Sequence, residues 1–130
     1  MTTPRARILI ADDDPDIRAI LVSLLEPHAA ELFEARNGDE ALETILVERP
    51  DLVVLDVMMP VLSGWEILKY MRERDDLAGT RVLMLTAIGH RVNELTSPLF
   101  GADAFLDKPF DLDELEAKVL ELLRSTGTDA

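Results

Sequence analysis

Four short apolar runs, each followed by polar residues of a different kind, constrain the fold of this chain more than any other feature. The runs are residues 8–11, 52–55, 82–85 and 104–106, and the polar residues that follow them are Asp12 with Asp13, Asp56, Thr86 and, after one further residue, Lys108. Uninterrupted apolar runs of this length are typical of strands that helices cover on both faces. Because the carboxyl ends of parallel strands meet at one edge of a sheet, we expect these polar side chains to form one cluster.

Helix signals lie between the predicted strands. Four polar residues open stretches of helical apolar spacing: Asp14, Asn37, Ser63 and Asp111. This spacing places Ile20 and Leu112 among the inward residues, and a weaker strand is expected at residues 32–35. A distorted helix is expected between residues 90 and 101, where Pro98 would remove a helical hydrogen bond. Five strands that alternate with five helices predict an α/β fold, in which helices cover a parallel sheet on both sides.

The composition is that of one acidic globular domain. A chain of 130 residues that is 48% hydrophobic can bury a core without disulfides, and the absence of cysteine excludes a thiolate nucleophile or a thiolate metal site. Its 26 acidic and 13 basic residues give a formal net charge of −13, which repels nucleic acid and anionic membrane surfaces. No apolar run approaches the ~20 residues that a membrane-spanning helix needs. We therefore expect one domain at residues 1–124 with a polar tail at residues 125–130, located in the cytoplasm and without direct contact to nucleic acid or a membrane.

The predicted cluster has the chemistry of a site for a divalent cation and a phosphoryl group. Mg²⁺ prefers oxygen ligands, which Asp12, Asp13 and Asp56 would supply. Three carboxylates so close together raise one another's pKa, and a bound cation compensates for this. The Lys108 ammonium and the Thr86 hydroxyl would neutralise charge on phosphoryl oxygens. Asp56 stands alone at the end of the third apolar run, which makes it the candidate nucleophile for an aspartyl phosphate.

Four motifs carry the strongest sequence signal: residues 8–14, residues 55–60 with Gly64, Thr86 with Ala87, and residues 108–110. Together these motifs resemble the response-regulator receiver domain of two-component signal transduction, and in particular the single-domain regulators of the chemotaxis type. The motifs span nearly the whole chain, and the intervals between them also fit that family. The resemblance implies a flavodoxin-like, doubly wound sheet of five parallel strands in the order 2-1-3-4-5, with five surrounding helices.

The resemblance also implies a role for each site residue. Four groups would hold Mg²⁺: the carboxylates of Asp12, Asp13 and Asp56 and the backbone carbonyl of Met58. Asp56 would accept the phosphoryl group from a histidine kinase or a histidine phosphotransfer protein. Lys108 and Thr86 would contact the phosphoryl oxygens, and the peptide bond from Lys108 to Pro109 would be cis.

A switch is implied as well. Thr86 would move toward the phosphoryl group while Phe105 turns inward, which would reshape the face made by the fourth helix, the fifth strand and the fifth helix. This face would control a downstream effector protein or an output domain, with the chain as a monomer or a phosphorylation-dependent homodimer. We expect Asp107 to point away from the carboxylate cluster.

Such a domain is not a conventional enzyme, because it catalyses only its own phosphorylation and the hydrolysis of its aspartyl phosphate. We expect that hydrolysis to be slow, because Met58 and Ile88 are apolar where relatives often carry polar groups that orient water. Two alternatives fit the same residues: an interaction module that works without phosphorylation, and a metal-dependent phosphatase that uses Asp56 as its nucleophile on external substrates.

Overall fold

The strands predicted from the apolar runs are all present in the computed structural model, which describes residues 6–87 and 101–125. The five strands are β1 (Ala6–Ala11), β2 (Ala29–Ala35), β3 (Leu52–Asp56), β4 (Arg81–Ala87) and β5 (Ala104–Lys108). The α-helices in the described ranges are α1 (Pro15–Leu25), α2 (Gly38–Glu48), α3 (Gly64–Arg72) and the C-terminal helix (Leu112–Ser125). Short 3₁₀ turns lie at Glu26–His28 and Asp75–Leu77. The helix predicted between residues 90 and 101 lies outside the described residues.

The sheet is parallel throughout, with the strand order β2-β1-β3-β4-β5. This is the flavodoxin-like arrangement that the resemblance implied. The strand order reverses between β1 and β3, and ligands of open α/β sheets bind at the carboxyl ends of the strands next to such a reversal. Ala11 pairs with Leu55, and Asp56 pairs with Leu85 on the next strand. This register aligns the carboxyl ends of the strands that carry the predicted site residues.

Two apolar layers, one on each face of the sheet, hold the helices in place. Residues of α2 and α3 pack on one face, with a core that includes Leu9, Val53, Leu55, Ile67 and Met71. Residues of α1 and the C-terminal helix pack on the other face, with a core that includes Ile8, Ile10, Leu21, Leu83 and Val119. All five residues of β3 are buried, as expected of a central strand covered on both sides.

The helices begin where the sequence predicts. The Asp14 side chain accepts hydrogen bonds from two backbone N–H groups of the first turn of α1, and Ser63 forms a capping box with Glu66 at the start of α3. Two inward predictions are wrong, since Ile20 is 47% exposed and Leu112 is 41% exposed. None of the described helices has the length and apolar character needed to cross a bilayer.

Candidate functional site

The predicted acidic residues and the predicted lysine meet at the carboxyl ends of the strands. Asp12 follows β1, Asp56 ends β3 and Lys108 ends β5. Carboxylate oxygens of Asp12, Asp13 and Asp56 lie within 4.8 Å of one another. The Lys108 Nζ atom is 2.9 Å from Asp12 Oδ2 and 3.3 Å from Asp56 Oδ1. The peptide bond from Lys108 to Pro109 is cis, as the resemblance implied.

The three carboxylates differ in burial and in their partners. Asp12 is fully buried, and its two oxygens accept hydrogen bonds from the backbone N–H of Asp14, at 2.9 Å, and from Lys108. Asp56 is only 3% exposed, and its Oδ1 accepts a hydrogen bond of 3.3 Å from the backbone N–H of Met58. Asp13 is exposed, so the cluster opens toward solvent on the side of Asp13.

Burial raises the pKa of Asp56 to about 7, and the negative charge of Asp12 adds to this rise. The Lys108 ammonium opposes the rise, because it favours the charged carboxylate. Burial also disfavours the charged form of Lys108, but its hydrogen bond to Asp12 and the two carboxylate charges outweigh that cost and raise its pKa. Without a further cation, the surroundings therefore favour the charged form of Lys108 and the neutral form of Asp56.

The donor set fits a small divalent cation that prefers oxygen ligands. Three carboxylates face one another with a single ammonium between two of them, so negative charge remains in excess when all three are ionised. Mg²⁺ typically binds one or two carboxylates and keeps several waters, which the exposed side at Asp13 would admit. Met58, whose carbonyl is the fourth predicted ligand, follows Asp56 by two residues in the loop from β3 to α3, and the residue is 58% exposed.

The two predicted switch residues, Thr86 and Phe105, each contact a side chain outside the cluster of Asp12, Asp13 and Asp56. Thr86 is fully buried, and its hydroxyl donates a hydrogen bond of 2.7 Å to Oδ1 of Asp107 on the neighbouring strand. Lys108, the next residue of β5, reaches Asp12 and Asp56, and successive side chains of a strand alternate, so Asp107 faces the other side of β5, as expected. The sequence did not suggest the contact between Asp107 and Thr86. Phe105 is half-buried, and its ring packs against Trp65 of α3 with ring centroids 5.9 Å apart.

Arg18 is a site residue that the sequence did not single out. Its Nη1 atom donates a hydrogen bond of 2.8 Å to the backbone carbonyl of Asp12, and its Nε atom lies 3.3 Å from Glu34 on β2. The arginine thus links the turn that carries Asp12 to the edge strand. Its position near the start of α1 gives little sequence signal, because many surface arginines share such a position.

Gly64 is required where α3 starts, because a Cβ atom there would lie 2.5 Å from the carbonyl oxygen of Asp56 and 2.9 Å from the Cα of Val57. Gly64→Ala is expected to lower the free energy of unfolding by about 2 kcal/mol, because the backbone of the loop from β3 must move. Urea denaturation measures this change. Gly79→Ala is the matched control, since nothing lies within 4 Å of its added Cβ. Equal stability of the two variants would contradict the prediction.

Comparison with known proteins identifies the family of this chain. A family model described as "Response regulator receiver domain" matches residues 8–120. The chain is 44% identical over 127 residues to the response regulator MprA of Mycolicibacterium vanbaalenii, covering 95% of this chain and 52% of that protein. It is 40% identical over 126 residues to the "Probable transcriptional regulator ycf27" of Cyanophora paradoxa, covering 97% of this chain and 52% of that protein. The chain therefore spans about half the length of these relatives.

Solved structures of response regulators are also similar to this chain. The receiver domain of the Francisella response regulator 1452 superposes with a TM-score of 0.84 at 33% identity, covering 94% of this chain and 99% of that one. The chemotaxis response regulator CheY4 of Vibrio cholerae superposes with a TM-score of 0.79 at 32% identity, covering 92% of this chain and 98% of that one.

Proposed function

This chain belongs to the response regulator receiver domain family, and we propose that it accepts a phosphoryl group on Asp56 in a reaction that depends on Mg²⁺. One observation carries the proposal: Asp56 lies within 4.8 Å of two further carboxylates and has the Lys108 ammonium 3.3 Å from its Oδ1 atom. The donor is a phosphohistidine of a histidine kinase or of a histidine phosphotransfer protein. We place this reaction in the cytoplasm, where such donors present their phosphohistidine.

The chemistry is an in-line displacement at phosphorus. A carboxylate oxygen of Asp56 forms the new P–O bond while the P–N bond to the donor imidazole breaks, and the imidazole leaves with the bonding electron pair and takes up a proton. Asp56 reacts as the carboxylate, so its raised pKa opposes the reaction until positive charge lowers it. Lys108 supplies one such charge and lies close enough to neutralise the phosphoryl oxygens.

Mg²⁺ would be held by the carboxylates of Asp12, Asp13 and Asp56 and by the carbonyl of Met58. When bound, it supplies further positive charge against the phosphoryl oxygens. The role of Asp12 and Asp13 is to keep that charge beside Asp56, and the hydrogen bonds to Asp12 from Asp14 and Lys108 fix its carboxylate for this purpose.

Phosphorylation would act as a switch through Thr86 and Phe105. The Thr86 hydroxyl turns toward a phosphoryl oxygen, and Phe105 then turns inward and changes the face around β5. The partner is an effector protein or an output domain, and relatives of twice this length with transcriptional-regulator names support an output domain. The receiver domain itself acts as a monomer or as a phosphorylation-dependent homodimer. Its charge of −13 argues against direct binding to DNA.

Intact mass spectrometry after incubation with acetyl phosphate tests the proposal. The native chain should gain one phosphoryl group with Mg²⁺ and none with EDTA, and Asp56→Asn should gain none under either condition. Labelling of the variant would contradict the assignment of Asp56. An unlabelled native chain that still binds a partner would favour the phosphorylation-independent module. Steady hydrolysis of an aryl phosphate without labelling would favour the phosphatase.

The aspartyl phosphate is expected to persist for longer than minutes at neutral pH with Mg²⁺. Met58 is exposed beside Asp56 and offers no polar group to orient an attacking water. Decay of the phosphorylated intact mass measures the half-life. Met58→Asn, which adds a polar group at that position, should shorten it by several-fold, while Val61→Asn, at a 70% exposed residue of the same loop, should leave it unchanged. A native half-life below minutes would contradict the prediction.

A further inference from the structure

The hydrogen bond between Thr86 and Asp107 joins β4 and β5 beside the phosphoacceptor site. The two residues are paired in the register of the strands, so their side chains leave the same face of the sheet next to each other. The hydroxyl of Thr86 donates to Oδ1 of Asp107 at 2.7 Å. A hydrogen bond from a hydroxyl to a carboxylate is charge-assisted and is stronger than one between neutral groups. Thr86 is fully buried, so water does not compete for its proton.

Adjacent residues of β5 therefore act on opposite sides of the strand. Lys108 reaches the carboxylates of Asp12 and Asp56, whereas Asp107 holds the Thr86 hydroxyl on the other side. A hydroxyl has one proton and donates it to one acceptor at a time. A phosphoryl oxygen on Asp56 must therefore compete with the Asp107 carboxylate for the proton of Thr86.

We propose that Asp107 is a positioning residue that holds Thr86 in its resting arrangement and so reduces the response of the switch to phosphorylation. The inference rests on the proposed function, because it assumes that Thr86 must turn toward the phosphoryl group. An interaction present in only one of two states shifts their equilibrium by its full free energy. A hydrogen bond to a charged group at this site corresponds to a shift of about tenfold in that equilibrium.

Phe105 connects the hydrogen bond between Thr86 and Asp107 to the surface of the domain. It lies two residues before Asp107 on β5, so the two side chains share a face of the sheet. Its ring packs on Trp65, which ties the same face to α3. When the Thr86 side chain turns away from Asp107, it changes the space beside β5. This space lies on the same face of the sheet as Phe105, which must move for the switch to act.

Binding of beryllofluoride, a phosphoryl analogue that attaches to an aspartate with Mg²⁺, tests the inference when the bound fraction is measured by fluorine NMR. Asp107→Ala should lower the half-saturating concentration about tenfold relative to the native chain. Asp107→Asn keeps a carbonyl acceptor without the charge, so it should give a smaller decrease. Asp113→Ala is the matched control, because it removes one negative charge at an exposed position of the C-terminal helix. This control should change the concentration by less than about twofold.

A double variant tests whether the effect of Asp107→Ala depends on the Thr86 hydroxyl. In a Thr86→Ala background, Asp107→Ala should no longer tighten binding, since the hydroxyl that couples the two residues is gone. Equal effects of Asp107→Ala and Asp113→Ala, or a tightening that survives in the Thr86→Ala background, would overturn the inference.

A measurement of the Thr86 rotamer in the resting protein tests the role of Asp107 independently of the proposed function. Three-bond couplings to the Thr86 methyl, measured without Mg²⁺ or analogue, should report one rotamer in the native chain and an average of rotamers in Asp107→Ala. An unchanged single rotamer would overturn the role of Asp107 whether or not the analogue binds. Failure of the native chain to bind the analogue would instead overturn the proposed function.

Discussion

Asp56→Asn is expected to raise the melting temperature of the Mg²⁺-free protein by roughly 10 °C at about pH 8. Asp56 is buried beside Asp12, and its pKa is raised to about 7, so its ionised form destabilises the folded state. The penalty is about 4 kcal/mol when the group is fully ionised. Asparagine has a similar shape, can still accept the hydrogen bond from the N–H of Met58, and carries no charge.

The effect of this variant depends on pH with a definite sign. The folded-state pKa of Asp56 lies above its ordinary value of 3.8. The stability that its neutral form contributes is therefore complete below that value and is lost as the pH rises through about 7. The difference in melting temperature between variant and native chain should shrink toward zero near pH 4. Differential scanning calorimetry across this range measures it.

The effect of Mg²⁺ distinguishes removal of the buried Asp56 charge from a general gain in stability. A bound cation compensates the charge of Asp56, so Mg²⁺ should raise the melting temperature of the native chain by more than that of the variant. Glu43→Gln, which neutralises an exposed carboxylate of α2, is the control and should change stability by less than about 0.5 kcal/mol. An Asp56→Asn variant as stable as the native chain at pH 8 would contradict the raised pKa.

Lys108→Met should have the opposite effect and lower the free energy of unfolding by about 3 kcal/mol in the absence of Mg²⁺ at about pH 8. The ammonium lies between Asp12 and Asp56, and methionine keeps the apolar stem while it removes the charge. Two buried carboxylates would then face each other without a counter-charge. Urea denaturation measures the loss, and saturating Mg²⁺ should restore part of it.

A double variant tests whether the loss comes from the unpaired carboxylates. Lys108→Met combined with Asp56→Asn should be more stable than Lys108→Met alone, because only Asp12 then lacks its partner. Lys69→Met, at an exposed position of α3, is the control for removal of a lysine charge. If Lys108→Met were no less stable than Lys69→Met, the ammonium would not be stabilising the cluster.

The carboxylate cluster could be predicted from the sequence because strand ends alone determine it. Once the apolar runs are parallel strands, Asp12, Asp56 and Lys108 must lie at one edge of the sheet. The direction of the Thr86 hydroxyl could not be predicted, because it depends on the register that places Asp107 beside it. Whether Phe105 packs in the core or at the surface depends similarly on Trp65, which comes from a distant part of the chain.

Other features could not be predicted because they depend on tertiary contacts that no local sequence pattern shows. Ile20 and Leu112 have the spacing of inward residues, but the buried stripe of each helix is narrower than its apolar stripe, and both side chains are exposed. Arg18 binds the backbone carbonyl of Asp12, a contact that leaves no signal in the residue type at position 12. The cis bond before Pro109 was expected from the family resemblance alone.

The position of the phosphoryl group tests the central claim most directly. Phosphorylated protein can be treated with borohydride, which reduces an aspartyl phosphate to homoserine, and then fragmented to locate the altered residue by mass spectrometry. The altered residue should be Asp56 alone, with Asp12 and Asp13 unchanged. Reduction at either of those residues, or a stable label on His28, would contradict the assignment of Asp56 as the phosphoacceptor.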